Sequence, residues 1–446
     1  MILKKKSPAR VVVISIDGVP YSFLQARIAA GTLPNFKKLL EHGSLHRMNS
    51  VQPCVSSVAW ASYMTGKNPG KHNVFGFIEK KPGTLETFVP TSVNLASPTI
   101  WEIMSRAGKK VCVINVPGTF PPRPVNGMMV GCFLGTRLEN IAYPKKVGAE
   151  LKALGYKIDA RAALARENLE RFITECNQVL AKRAKVLLHY LAQTPWDFFQ
   201  CHIMETDRLN HFLWEQVEKN EPRYLRVFAE FYQRVDAVIG EVVRQINSET
   251  ELIILSDHGF CAVKKEIYLN RYLAEAGLLK FNTSSPRSLR DLHADSLAYS
   301  LIPGRVFINL EGREPHGTVP PARYEWARDK ISTVLLSLKD TDGAPIIREV
   351  VKRENIFHGT HLAAAADLLA IPHDGYDLKG DVTKTCLGEK TALAGMHTFD
   401  DALFYIRRPQ VKVGQNKFWI GDVAPTILQL MHLPIPADMD GVALEF

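Results

Sequence analysis

Cysteine pairs, membrane-length apolar runs and low-complexity tracts are all missing from this chain of 446 residues. The seven cysteines (54, 112, 132, 176, 201, 261 and 386) are odd in number, scattered and free of any CxxC spacing. That excludes a disulfide framework and a cysteine metal finger, and leaves reduced, mostly buried thiols. No stretch reaches the roughly 18 to 20 apolar residues of a membrane span. The first apolar run, Val11 to Ile16, is shorter than the about 7 to 15 residues of a signal-peptide core and ends in Asp17. The sequence therefore predicts a soluble, cytoplasmic protein. Nor is acid in excess: 55 Lys and Arg against 46 Asp and Glu give a net charge of +9, which favours an anionic partner such as a phosphorylated small molecule. The basic residues are spread along the chain, with Lys4, Lys5 and Lys6 read as a solvated start, so no specific nucleic-acid binding is expected.

With 46% hydrophobic and 23% charged residues, the chain has the composition of a globular enzyme. Runs of branched aliphatics alternate with helical patterns, which predicts an α/β fold on a mostly parallel sheet. Strand one runs from Arg10 to Asp17, a helix spans Tyr21 to Ala29, and Pro34 opens another that Gly43 stops. Ser56 to Thr65 reads as a buried helix with Gly66 as its C-cap. Further strands are predicted over Lys110–Val116, Trp196–Ile203, Leu252–Leu255 and Ala402–Ile406. The expected layout is core over 1–120, an inserted cap over 121–195, core over 196–275, a second cap over 276–391, and the last of the core over 392–446.

Three apolar strands run into acids: Asp17, Asp257 and, through Met204-Glu205-Thr206, Asp207. Open parallel sheets bind their ligands beyond the carboxyl ends of the strands. His258 adjoins Asp257, and His211 follows Asp207 at i+4, on the same helix face. His397, two residues after Gly395, is a further candidate ligand. Mixed carboxylate and imidazole ligation suits zinc, with manganese or iron as alternatives, and suits magnesium poorly. Two such ions about 4 Å apart would clamp the attacking and leaving oxygens of an in-line phosphoryl displacement. Ser56 and Ser57 fall at a helix start, where backbone amides favour phosphate. His72, in a glycine-rich loop, and Asn115, at a strand tip, are candidate substrate contacts beside Ser57; Lys67, Lys71 and Arg208 are candidates to steer a phosphate. Trp60 and His202 are assigned to packing.

Taken together, Asp17-Gly18, Pro53-Cys54-Val55-Ser56, Trp60, Thr65-Gly66, Pro69-Gly70-Lys71-His72, Glu205-Thr206-Asp207 with His211, Ser256-Asp257-His258-Gly259, Gly395 with His397, and Asp422 to Leu428 with Asp440-Gly441 form an ordered set. That set resembles the alkaline phosphatase superfamily, nearest its type I phosphodiesterase/nucleotide pyrophosphatase branch. The matching blocks extend over nearly the full length. The resemblance implies a three-layer α/β/α sandwich with inserted cap segments. It implies two divalent metal ions, one held by Asp17, Asp257 and His258 with Ser56, the other by Asp207, His211 and His397. It also implies that Ser56, three residues after the proline, is the nucleophile of a phosphoserine mechanism. Two departures bear on the substrate. Ala59 stands where nucleotide pyrophosphatases place an Asn, and no arginine follows Ser56 as in the phosphomonoesterases. The expected activity is hydrolysis of phosphodiesters or nucleotide pyrophosphates. A phosphomonoesterase or phosphomutase on the same scaffold is one alternative, and a non-catalytic binder of phosphate ligands is another.

Overall fold

The computed structural model describes residues 9–412 and 418–446, so Lys4, Lys5 and Lys6 lie outside the described residues. Eight strands make the central sheet: β1 (Val11–Ile16), β2 (Ser44–Met48), β3 (Val111–Ile114), β4 (Gly127–Val130), β5 (Ala142–Tyr143), β6 (Phe198–Ile203), β7 (Glu251–Leu255) and β8 (Ala402–Ile406). Their spatial order is β2-β8-β7-β1-β6-β3-β4-β5. The five from β7 to β4 are parallel, and antiparallel strands close both edges.

Every residue of β1 is buried, because β1 lies inside the sheet with both of its faces covered. Successive side chains point to opposite faces. Val12, Ile14 and Ile16 enter a core shared with the helices Leu169–Gln193, Glu205–Glu218 and Pro222–Gln245. Val11 and Val13 enter the opposite core, with the helices Ser56–Thr65, Ile100–Arg106 and Val423–Leu430. The result is the three-layer α/β/α sandwich the resemblance implied. All seven cysteines are free, and no helix among the described residues is long and apolar enough to cross a membrane.

Within residues 121–195, β4 and β5 extend the central sheet, and the helix Leu169–Gln193 packs into its core. A further hydrophobic cluster surrounds the antiparallel strands Ala298–Leu301, Arg305–Ile308, Ile347–Lys352 and Leu368–Pro372, here called the cap. Lys265–Tyr268, which precedes these strands, pairs with Tyr376–Lys379. Buried ion pairs tie the cap to the loop after the Ser56 helix, Arg305 with Glu79 at 2.9 Å and Lys80 with Glu314 at 3.0 Å.

The helix that carries Asp207 and His211 is anchored at its first residue. Glu205 meets Arg183 at 2.9 Å, and both side chains are fully buried. Removing one partner of such a pair leaves an uncompensated charge in the interior. Arg183→Leu is therefore expected to cost about 3–5 kcal/mol, seen as a lower urea midpoint at an unchanged slope. A midpoint equal to that of the wild type would show that the pair does not anchor the helix.

Candidate active site

The carboxyl ends of β7, β1 and β6 lie side by side, so the acids that follow them converge. Gly18 makes the first turn, with φ of +63°. Its amide donates to Asp257 Oδ1 at 3.1 Å, and a Cβ there would lie 2.6 Å from Phe260 Cε2 and 3.0 Å from His258 Cε1. Both the conformation and the space call for glycine.

Two groups of potential ligands result, Asp17, Asp257 and His258 in one and Asp207, His211 and His397 in the other, the ligand atoms of each lying within 4.8 Å of one another. In the first, His258 Nε2 is 3.3 Å from Asp257 Oδ2 and 3.6 Å from Asp17 Oδ1. In the second, Asp207 Oδ1 is 3.3 Å from His211 Nε2 and 3.4 Å from His397 Nε2, and the two Nε2 atoms are 3.1 Å apart. The rings of His258 and His397 stack, centroids 3.5 Å apart and planes 18° from parallel.

Backbone carbonyls set the imidazole tautomers. His258 Nδ1 donates to Gly259 O at 3.0 Å and His211 Nδ1 to Gly395 O at 2.9 Å. In the neutral ring each Nε2 then carries a lone pair aimed at carboxylate oxygens. Asp257 Oδ2 and Asp207 Oδ1 are buried and receive no hydrogen bond. Lone pairs facing lone pairs repel unless a cation or a proton lies between them. In the first group the shifts in acidity express the same repulsion. Burial and then the Asp17 carboxylate push Asp257 well above the usual carboxylate range. Burial and then His397 push His258 down to about 3. At Asp207 burial acts upward, but the His211 and His397 imidazoles override it and hold the acid well below its ordinary value. A divalent cation in each group would satisfy all of these atoms, and the donor set suits one.

Ser56 stands next to the first group, its Oγ 3.1 Å from His258 Nε2 and 3.4 Å from Asp17 Oδ1. It opens the helix Ser56–Thr65, whose N-terminus has no side-chain cap and whose C-cap, Gly66, is left-handed at φ of +66°. The Val58 and Ala59 amides donate to Val55 O at 3.0 Å, and those of Ser56 and Ser57 remain available to an anion. A cavity of about 200 Å³ opens beside Ser56, Ser57, Asp207, His211 and His397. A second, of about 300 Å³, lies toward the cap and shares Phe77, His211 and His397 with the first.

Of the substrate-contact candidates, Ser57 lines the first cavity with a buried, unpartnered hydroxyl. Asn115 is fully buried, donates from Nδ2 to His202 O at 3.2 Å and lines neither cavity. His72 is also fully buried: Nε2 donates to Ser62 Oγ at 3.0 Å, and Nδ1 accepts from the Val74 amide at 3.2 Å. Those bonds consume both ring nitrogens, so His72 holds its loop and the expectation that it touches substrate is corrected. Lys67 and Lys71 pair with Asp438 and Asp440, whereas Arg208 does line the first cavity.

Several residues that hold Asp17 in place escaped the sequence reading. Trp60 Nε1 donates to Asp17 Oδ2 at 3.0 Å, and Thr206 Oγ1 donates to Asp17 O at 2.6 Å. His202 Nε2 sits 3.0 Å from Asp17 Oδ2, off the axis of a hydrogen bond, while its Nδ1 is 2.9 Å from Ser15 Oγ. Ser15 and His202 are direct partners across β1 and β6. The available signal was Ser15 in one otherwise apolar strand and Gln200 with His202 in the other, but their register is not written in either.

Residues 11–400 match the family model described as type I phosphodiesterase/nucleotide pyrophosphatase, and the chain belongs to that family. Among solved structures it is similar to phosphonoacetate hydrolase from Sinorhizobium meliloti in complex with phosphonoacetate, at 17% identity and a TM-score of 0.67 over 95% of this chain and 96% of that one. It is also similar to murine ectonucleotide pyrophosphatase/phosphodiesterase 5 in complex with AMP, at 15% identity and a TM-score of 0.57 over 96% of each chain. The human counterpart gives 14% identity and 0.57 over 97% of each chain. These likenesses show the shared fold.

Burial pushes the His72 pKa down to about 3, below the unfolded value of about 6.5. Its contribution to stability is present above pH 6.5 or so and is lost as the pH falls toward the folded value. His72→Gln should flatten the decline of the urea midpoint between about pH 6.5 and 4, where the wild type loses up to about 3 kcal/mol through this group. Parallel declines in the two proteins would contradict the buried neutral assignment.

Proposed function

We propose that this protein is a two-cation phosphohydrolase that cleaves phosphodiesters or nucleotide pyrophosphates through a phosphoserine on Ser56. The observation that supports this most directly is the placement of Ser56 Oγ beside Asp17 and His258 at an uncapped helix start. Zinc, or manganese or iron, held by Asp17, Asp257 and His258 and by Asp207, His211 and His397 would lower the serine pKa and offset the charge of the phosphoryl oxygens. The helix amides and the Ser57 hydroxyl would receive a non-bridging oxygen, where Ala59 supplies no side-chain donor. Ser56 gives its hydroxyl proton to solvent and Oγ bonds to phosphorus as the bond to the departing alcohol, or phosphate in a pyrophosphate, breaks; that leaving group takes up a proton from solvent. Water then opens the phosphoserine, releases a phosphomonoester and restores the hydroxyl. A phosphomonoesterase or phosphomutase is the second reading, favoured by Arg208 in the cavity wall, whose guanidinium could meet the added charge of a monoester.

Metal analysis of the purified protein should find two divalent cations per chain at saturation, reduced in Asp207→Asn. Turnover of an aryl phosphodiester should fall by at least about 10³-fold in Ser56→Ala and should stop in the presence of a chelator. Saturation at one cation per chain, or an active Ser56→Ala, would overturn the mechanism. Faster turnover of monoesters than of diesters would select the second reading.

A further inference from the structure

The charged residues that line the cavity beside Ser56 are Asp207, Arg208, His211 and His397, all at its ligand-bearing end. Beyond them the wall is hydrocarbon and aromatic, with Met64, Val74, Phe77, Leu95, Phe133 and Leu134 among its members. Thr91 is the one hydroxyl away from the serines, and its Oγ1 is already engaged with Asn94 Oδ1 at 3.3 Å. Arg208 is held at the boundary between the two halves. Its Nε and Nη2 donate to Asp159 Oδ2 at 3.2 and 2.7 Å, its Nη1 is 3.4 Å from Asp207 Oδ2, and its Cζ is 5.2 Å from the Phe133 ring centroid. Asp159 thereby fixes a guanidinium beside the ligand group while Phe133 turns its ring to the cavity wall.

We propose that this cavity receives an uncharged, apolar substituent of the phosphate ester, an aryl or short alkyl group, with Arg208 meeting a phosphoryl oxygen at its mouth. The inference rests on the reading of Ser56 as the reacting residue and narrows its substrates. A carboxylate or the polar edge of a nucleobase placed here would lose its water without gaining a partner. A hydrocarbon or an unsubstituted ring would shed only apolar surface. Asp159 takes Nε and one Nη2 hydrogen and Asp207 takes one Nη1 hydrogen, which leaves a hydrogen on each Nη for a phosphoryl oxygen.

Calorimetry on cation-loaded Ser56→Ala separates binding from chemistry. Phenylphosphonate and hexylphosphonate should bind at least about tenfold more tightly than carboxymethylphosphonate. Leu134→Asp in that background should erase the advantage, and Phe133→Ala should reduce it. Arg208→Met should weaken all three ligands by similar factors, near tenfold. Carboxymethylphosphonate binding as tightly as the apolar pair would overturn the proposal, as would an unaltered ranking in Leu134→Asp with a native circular dichroism spectrum. Wild-type turnover of bis(p-nitrophenyl) phosphate tests the underlying reaction separately. Its absence beside an intact apolar preference would remove the role of Ser56 and leave the cavity assignment standing.

Discussion

Three carboxylates with almost no contact with water are confined to one edge of a parallel sheet, and the surrounding structure is arranged to tolerate that charge. Asp17 and Asp257 are fully buried and Asp207 is 3% exposed. Desolvating each of them costs several kcal/mol unless positive charge or hydrogen bonds compensate. Trp60 and the Gly18 amide supply part of the compensation. The carbonyl oxygens that orient the imidazoles add none, because they turn ring lone pairs toward the acids. What remains uncompensated is negative charge in two groups of facing lone pairs, which a divalent cation in each would offset. The strand order makes this unavoidable: with β1 between β6 and β7, the acids that end these strands cannot be far apart.

Much of this was legible in the sequence because it is local. A branched aliphatic run that stops at an acid, a histidine at i+4, a serine at a helix start and a glycine at its end each carry their meaning within a few residues. The strands β1, β6, β7 and β8, and the helix Ser56–Thr65, follow those patterns closely. The illegible parts are non-local. Gly127-Met128-Met129-Val130 carries no β-branched run, and it becomes a sheet strand because Val111 to Ile114 offers it an edge. His72 and Asn115 sit in segments whose composition suits a binding loop, yet tertiary contacts turn both inward. The pairing of Ser15 with His202 depends on a register that no single segment encodes.

Core and cap meet around Phe77, which borders both cavities. The residues that follow it, Glu79 and Lys80, are gripped by Arg305 and Glu314 of the cap. The ligand groups belong to the sandwich, but the partition between the spaces on either side of them is set by charges buried in the cap interface. A change in the cap can therefore reshape these cavities without disturbing the carboxylate–imidazole groups.

The stacked rings of His258 and His397 belong to different ligand groups and ride on one antiparallel ribbon, Gly259–Ala262 with Gly395–Thr398, in which Phe260 faces His397. Ordering one ring would restrict the plane of the other. Cations held as proposed would therefore be thermodynamically coupled: an ion entering the second group would find an imidazole whose rotational entropy had already been spent, and by reciprocity it would tighten the hold on the first.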